Sequence, residues 1–219
     1  MKQLVLDVRL DAPPRLDNYF AGDNQALVAA LADQARGVIS DHIYVWSAPS
    51  MGRTHLLRAA TAAASDGAYL TPDQVIEPLP GHALLAIDDV DALSDAASIA
   101  VFNAFNRSRE QGQTLLLAGN APPRALALRE DLRTRIGQCL VFEIQPLTDT
   151  ARSAILSSMA AQRGLRLDGD VVAYLMRYGR RDMPALVSTL DALDRASLER
   201  KRAITLPLLR DLMRDGLTL

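Results

Sequence analysis

Residues 47–54 read Ser-Ala-Pro-Ser-Met-Gly-Arg-Thr, the outline of a phosphate-binding loop with two substitutions. Such loops follow G-x-x-x-x-G-K-[ST]. Gly52 and Thr54 match, Ser47 stands where the first Gly belongs, and Arg53 stands where the Lys belongs. The chemistry needs backbone N–H groups wrapped around phosphates, a helix N-terminus facing them, and a cation reaching the terminal phosphate. Met51, Gly52, Arg53 and Thr54 can supply the N–H groups, and the Thr54 hydroxyl can touch Mg²⁺. Arginine keeps the charge but is planar and bulkier than lysine. It suits holding a phosphate better than assisting a hydrolytic transition state. The chain has 22 Arg and 2 Lys, so composition drift also accounts for the exchange. On its own, the loop reads equally well as a turn carrying Gly-Arg-Thr.

Asp88 and Asp89 close the apolar run Ala83-Leu84-Leu85-Ala86-Ile87. In nucleotide-binding sites, the first such acid holds Mg²⁺ through water and the second polarises the attacking water. Asp89 is one methylene shorter than the usual Glu. Read blandly, the two are acids at a strand end. Asn120 ends another apolar run, where Gly-Asn is also an ordinary turn signal. Leu132-Arg133-Thr134-Arg135-Ile136 lies on a short helix. Arg135 there is either a solvated surface cation or a group directed at a neighbouring molecule. Arg180-Arg181-Asp182 opens a helix, where positive charge is mildly unfavourable. Gln3-Leu4-Val5-Leu6 suits a linear peptide that docks in a groove, or an edge strand, or a disordered arm. His55 and His82 lack partner carboxylates at metal spacing, and a Cys cluster is missing. No metal beyond Mg²⁺ is assigned.

The elements that must position these groups follow from periodicity. Residues 1–16 form an arm ending at Pro13-Pro14, since paired prolines resist helix and sheet. Asn24 is placed to cap a helix bearing Leu27, Ala30 and Leu31. Strands are expected at 42–46, 68–70, 83–89, 114–120 and 140–144, and helices at 53–64, 95–111 and 130–136. The second of these helices turns Ile99, Phe102, Phe105 and Asn106 to one face. Continuous apolar runs are strands covered on both faces, and their alternation with helices implies an α/β parallel sheet. Residues 71–81 hold three prolines and read as a loop. Beyond Pro146, helices are expected at 149–163, 169–178, 183–201 and 206–215, with Gly164 and Gly179 as stops and Asp182 and Thr205 as caps. Leu186, Leu190, Leu193 and Ser197 line the inner face of the third. The expected division is an arm at 1–16, an α/β domain at 17–146 and a helical bundle at 147–219.

The chain of 219 residues is long enough for a substantial core. An apolar run of about 18 residues, enough to span a membrane, is missing. The N-terminus lacks the apolar stretch of a secretory leader. The single Cys139 rules out a disulfide framework and fits a reducing, cytoplasmic setting. A net charge of −2 argues against a DNA-coating surface. The charge divides as −5 over residues 1–146 and +3 over 147–219, as for two units with different surfaces.

Taken together, these residues resemble the Hda-like branch of the DnaA-related AAA+ family over nearly the whole chain. The carriers are Gln3–Leu6, Asp17-Asn18-Tyr19-Phe20, Gly22-Asp23-Asn24 and Tyr44-Val45-Trp46. They continue through Gly52-Arg53-Thr54-His55-Leu56-Leu57, Ile87-Asp88-Asp89, Gly119–Pro123, Leu132–Arg135, Arg181-Asp182-Met183 and Leu190–Ser197. The resemblance implies a P-loop AAA+ sheet domain followed by a helical lid. It implies nucleotide contacts from Asp17, Asn18, Tyr19, Met51, Gly52, Arg53, Thr54 and His55. Asp88 and Asp89 become the Walker B acids, Asn120 the γ-phosphate sensor, and Arg181 the second sensor. Thr54 and Asp88 would hold Mg²⁺ alongside bound nucleotide. Arg135 becomes an arginine finger acting on a neighbour. Gln3, Leu4 and Leu6 match a peptide for the DNA polymerase sliding clamp.

By the same resemblance the cofactor is ADP or ATP, and the partners are the sliding clamp and DnaA. DNA is reached only through the loaded clamp, and self-association is compatible with the family. The implied activity is negative regulation of replication initiation, through hydrolysis of ATP bound to DnaA. Two other readings stay open: a self-sufficient ATPase of helicase-loader type, and a nucleotide-free adaptor.

Overall fold

Five short strands, β1 (Ile43–Trp46), β2 (Gly67–Leu70), β3 (Leu84–Ile87), β4 (Thr114–Gly119) and β5 (Leu140–Glu143), pair side by side in the order β2-β3-β4-β1-β5. Every pairing is parallel. The computed structural model describes residues 13–180 and 183–217. Alternate residues of the central strands serve two cores, as the strand period of two requires. Ile43, Val45, Leu84, Ala86, Leu116 and Ala118 meet Leu27 and Leu31 of helix α1 (Gln25–Ala35) and Leu56 and Leu57 of α2 (Arg53–Ala63). Tyr44, Leu85, Ile87, Leu115 and Leu117 meet Ala97 and Val101 of α3 (Asp95–Gln111) and Leu132 and Ile136 of α4 (Glu130–Gly137). Both faces are therefore covered, which is why these strands read as unbroken apolar runs.

Because the strands are parallel, their C-terminal ends share one edge of the sheet. Loop 47–54 leaves β1, Asp88 and Asp89 follow β3, and Asn120 follows β4, which lies between the other two. In open α/β sheets, ligands bind outside these carboxyl ends where the strand order reverses.

The chain divides into two compact units between Ile144 and Gln145, two residues before the expected boundary. The second unit is built of α5 (Asp149–Gln162), α6 (Gly169–Tyr178), α7 (Met183–Arg200) and α8 (Leu206–Arg214). Thr148 and Asp168 cap α5 and α6 through their side chains. Leu156, Leu175, Leu190, Leu193, Leu208 and Leu209 form its core.

Several local expectations change. On α3, Ile99 and Asn106 are exposed, and the buried stripe is Ala97, Ala100, Val101, Ala104 and Phe105. The stripe is mostly of small residues, and of the larger apolar groups Phe105 is buried, Phe102 half-buried and Ile99 exposed. On α7, Ala196 rather than Ser197 completes the buried stripe, and Ser197 instead donates to the Arg202 carbonyl. Asn24 and Thr205 occupy the N-cap positions of α1 and α8 without side-chain capping bonds. The Asn24 amide donates to the Ala21 carbonyl. Asp182 lies outside the described residues.

Candidate nucleotide-binding site

Gly52 is the residue on which the loop geometry turns. Its φ of +92° lies in the left-handed region, and a Cβ there would come within 3.0 Å of Tyr19 Cε2. Glycine thus permits both the turn into α2 and the close seat of the Tyr19 ring. The amides of Met51, Gly52, Arg53, Thr54 and His55 make no hydrogen bond to another described residue. They include the unpaired donors at the start of α2, a ready cradle for an anion. Ser47, the substitution for the first Gly, does not obstruct this cradle. Its φ is not positive, it is 2 % exposed, and its hydroxyl folds back to donate to the Ala48 carbonyl at 2.9 Å. Ser47 N–H donates to the Gly119 carbonyl at 3.3 Å, tying the loop to β4. The residues present therefore fit a diphosphate.

Arg53 faces inward along the loop. Nη1 donates to the Ser47 carbonyl at 3.1 Å, and Nη2 donates to Asp89 Oδ1 at 2.9 Å. Its side chain is 13 % exposed, against 48 % for Asp89. Asp89 itself has a left-handed backbone with φ of 42°. Burial and the charge of Asp88 raise its pKa above the ordinary carboxylate value, while Arg53 opposes them.

Asp88 is buried at the end of β3 and accepts three hydrogen bonds. Thr54 Oγ1 donates to Oδ2 at 2.6 Å, Tyr69 Oη donates to the same Oδ2 at 2.9 Å, and Asp89 N–H donates to Oδ1 at 3.0 Å. Each carboxylate oxygen offers about two acceptor positions. Thr54 and Asp88 are thus brought together as expected, but Oδ2 is already filled and fits a Mg²⁺-bound water poorly. Thr54 keeps its oxygen lone pairs. Among the described residues, three or more His, Cys, Asp or Glu never gather in a metal-holding group.

The remaining expected contacts divide. Tyr19 stands beside His55, with ring centroids 5.7 Å apart, and burial pushes its phenol pKa up. His55 Nε2 lies 3.1 Å from the Arg15 carbonyl and pins segment 15–19 to α2. Asp17 is exposed and paired with Arg15, and the Asn18 amide donates to the Pro13 carbonyl. Asn120 is held by Asp91, a partner absent from the sequence reading. Its backbone N–H donates to Oδ1 at 2.9 Å and its side-chain amide to Oδ2 at 2.7 Å. Arg135 is exposed on α4, with Nη2 donating to Asn106 Oδ1 at 2.9 Å and its guanidinium 5.9 Å from the Phe102 ring. Arg181 and the stretch containing Gln3, Leu4 and Leu6 lie outside the described residues. Sequence reasoning also passed over Tyr69. Its usable signal was an aromatic hydroxyl on an edge strand, one residue pair before the acid-bearing strand end.

The fold is shared by several solved proteins. The replication initiator DnaA bound to AMPPCP and single-stranded DNA matches at 23% identity with a TM-score of 0.74, over 88% of this chain and 69% of that one. Domain III of DnaA from Thermotoga maritima matches at 16% identity and 0.75, over 94% and 98%. The RuvB branch migration motor of Thermotoga maritima matches at 16% and 0.71, over 94% and 75%. These likenesses show the fold. The deciding observation lies in the second unit, where residues 149–213 match the family model for the Hda lid domain. The second unit is similar to the Hda lid domain, and the chain as a whole has the fold of these DnaA structures. The matched stretch runs from the first residue of α5 to within one residue of the end of α8. No helix among the described residues is long and apolar enough to cross a membrane.

Proposed function

We propose that this chain holds a nucleotide without turning it over efficiently, and that it restrains replication initiation by promoting hydrolysis of ATP bound to DnaA. The observation that carries this reading is the Arg53–Asp89 ion pair. Asp89 occupies the position whose carboxylate would polarise an attacking water, and its charge is spent on Arg53. Arg53 occupies the lysine position, and a planar guanidinium anchored at two acceptors suits retention of a phosphate. Within this reading the held nucleotide is ADP in preference to ATP.

The contribution to hydrolysis is then made elsewhere. Arg135, exposed on α4, is the proposed finger entering the ATP site of DnaA, a role that accelerates phosphoryl transfer by orders of magnitude. Gln3, Leu4 and Leu6 are the proposed tether to the sliding clamp, which would bring the protein to DNA only through the loaded clamp. Arg181 is proposed to complete the nucleotide site. The setting that suits these partners is the cytoplasm.

The test is a DnaA ATP-hydrolysis assay with loaded clamp. Arg135→Ala should abolish the stimulation while leaving thermal stability near wild type. Stimulation equal to wild type would remove the finger. Deleting residues 1–8 should abolish clamp binding, and undiminished binding would remove the tether. Hydrolysis of several ATP per second by the purified protein alone would favour the self-sufficient ATPase instead.

A further inference from the structure

Tyr69 stands on edge strand β2 opposite Ala86 of β3. The small alanine leaves the phenol free to reach along the same face of the sheet to Asp88, two residues on, as diagonal cross-strand neighbours can. There its hydroxyl and that of Thr54 both donate to Oδ2, at 2.9 and 2.6 Å. The Tyr69 ring is held from above by Arg58, whose guanidinium carbon lies 4.4 Å from the ring centroid. The phenol is therefore fixed in place by α2 on one side and by Asp88 on the other.

This arrangement uses up an acceptor that a metal site needs. A hydrated Mg²⁺ beside a bound nucleotide is held by a strand-end carboxylate that accepts protons from metal-bound water. Oδ2 has both acceptor positions occupied, and Oδ1 has one taken by the Asp89 amide. The nearest replacement for the metal's charge is Arg53, already anchored at the loop.

We propose that Tyr69 makes this a metal-indifferent site: its phenol takes the place of a Mg²⁺-bound water at Asp88, so that the loop accepts a nucleoside diphosphate without a divalent cation. The inference rests on the proposed nucleotide-holding role and adds a specificity-determining residue to it.

The experiment is calorimetric titration of the full-length, nucleotide-stripped protein with ADP, in Mg²⁺ and in EDTA. Wild type should bind with the same affinity in both. Tyr69→Phe keeps the ring and removes only the hydroxyl. It should bind about tenfold more tightly with Mg²⁺ than without, the size expected when an outer-shell partner of a metal ligand changes. Mg²⁺-dependent binding by wild type would overturn the inference while leaving nucleotide holding intact. A Tyr69→Phe protein that stays indifferent to Mg²⁺ would remove the role of Tyr69. ADP that fails to bind wild type in either buffer would sink the nucleotide-holding reading and this inference with it. The wild-type comparison decides the metal question even where the variant does not fold.

Discussion

Arg53→Lys is the substitution that most directly probes the proposal that the loop holds a nucleotide without turning it over efficiently. The guanidinium uses two separate nitrogens for two acceptors, the Ser47 carbonyl after β1 and Asp89 Oδ1 after β3. A lysine restores the phosphate-loop consensus but places a single nitrogen there, which cannot reproduce the fork. The cost follows from exposure. Arg53 is 13 % exposed and Asp89 48 %, so the pair is neither buried nor free in solvent. Solvent screening on the Asp89 side limits the loss to about 1 kcal/mol. For a chain of this size that lowers Tm by about 2–4 °C. Asp89→Asn should cost a similar amount. The double variant should cost less than the sum of the two, because both single changes break one interaction. Thermal unfolding of the four proteins reads this coupling directly, and a coupling of zero would refute the pair. The functional arm is steady-state ATP hydrolysis by the purified protein. With Asp89 released and lysine restored, turnover should rise above that of wild type. A variant no faster than wild type would show that the pair does not restrain turnover.

Two further outcomes are expected. His42 accepts from Leu115 N–H at Nδ1, 3.0 Å away, which leaves its proton on Nε2 facing Ser108 Oγ at 3.2 Å. Burial lowers its pKa, with Asp41 opposing and Arg135 assisting. The unfolded chain therefore takes up the proton first as pH falls. Stability should be complete above about pH 6.5 and decline below it. Tm measured from pH 7.5 down to 5.5 should drop more for wild type than for His42→Gln, and equal drops would count against the buried neutral imidazole. In the second unit, Leu190 is fully buried in the core of α5–α8. Leu190→Ala should cost about 2–5 kcal/mol, comparable with the whole stability of a bundle this small. Hydrogen exchange should then show residues 145–217 opening while the sheet strands stay protected, and retained protection across both units would contradict this.

The sheet was readable because its strands are short apolar runs, and a run such as Leu84–Ile87, buried on both faces, has few other ways to hide from water. Loop 47–54 was readable because Gly52 and Thr54 keep the spacing that a helix start requires. What the residues did not disclose were relations between distant positions. Asp91 carries no motif of its own, yet it captures Asn120 across 29 positions. Tyr69 looked like one more strand residue, and its meaning depends on the parallel register that sets it beside Asp88. On α3, of the face made by Ile99, Phe102, Phe105 and Asn106 only Phe105 is buried, and its buried neighbours Ala97, Ala100 and Ala104 carry little hydrophobic signal. Ser47 stands where the first Gly belongs, and the sequence does not disclose that its hydroxyl turns into the loop backbone.

The bond between Asn120 and Asp91 has a consequence for timing. In its proposed sensor role Asn120 would distinguish three phosphates from two, and here its backbone N–H and one of its two side-chain N–H groups are committed to one carboxylate. A detector held in this way must break a bond within its own protein before it can swing towards a phosphate. Within the proposed function, the molecule registers that its pocket is filled but keeps no record of hydrolysis there. It would behave as a constant tool rather than a clock, and the rhythm of the cycle would belong to the ATP consumed on its partner.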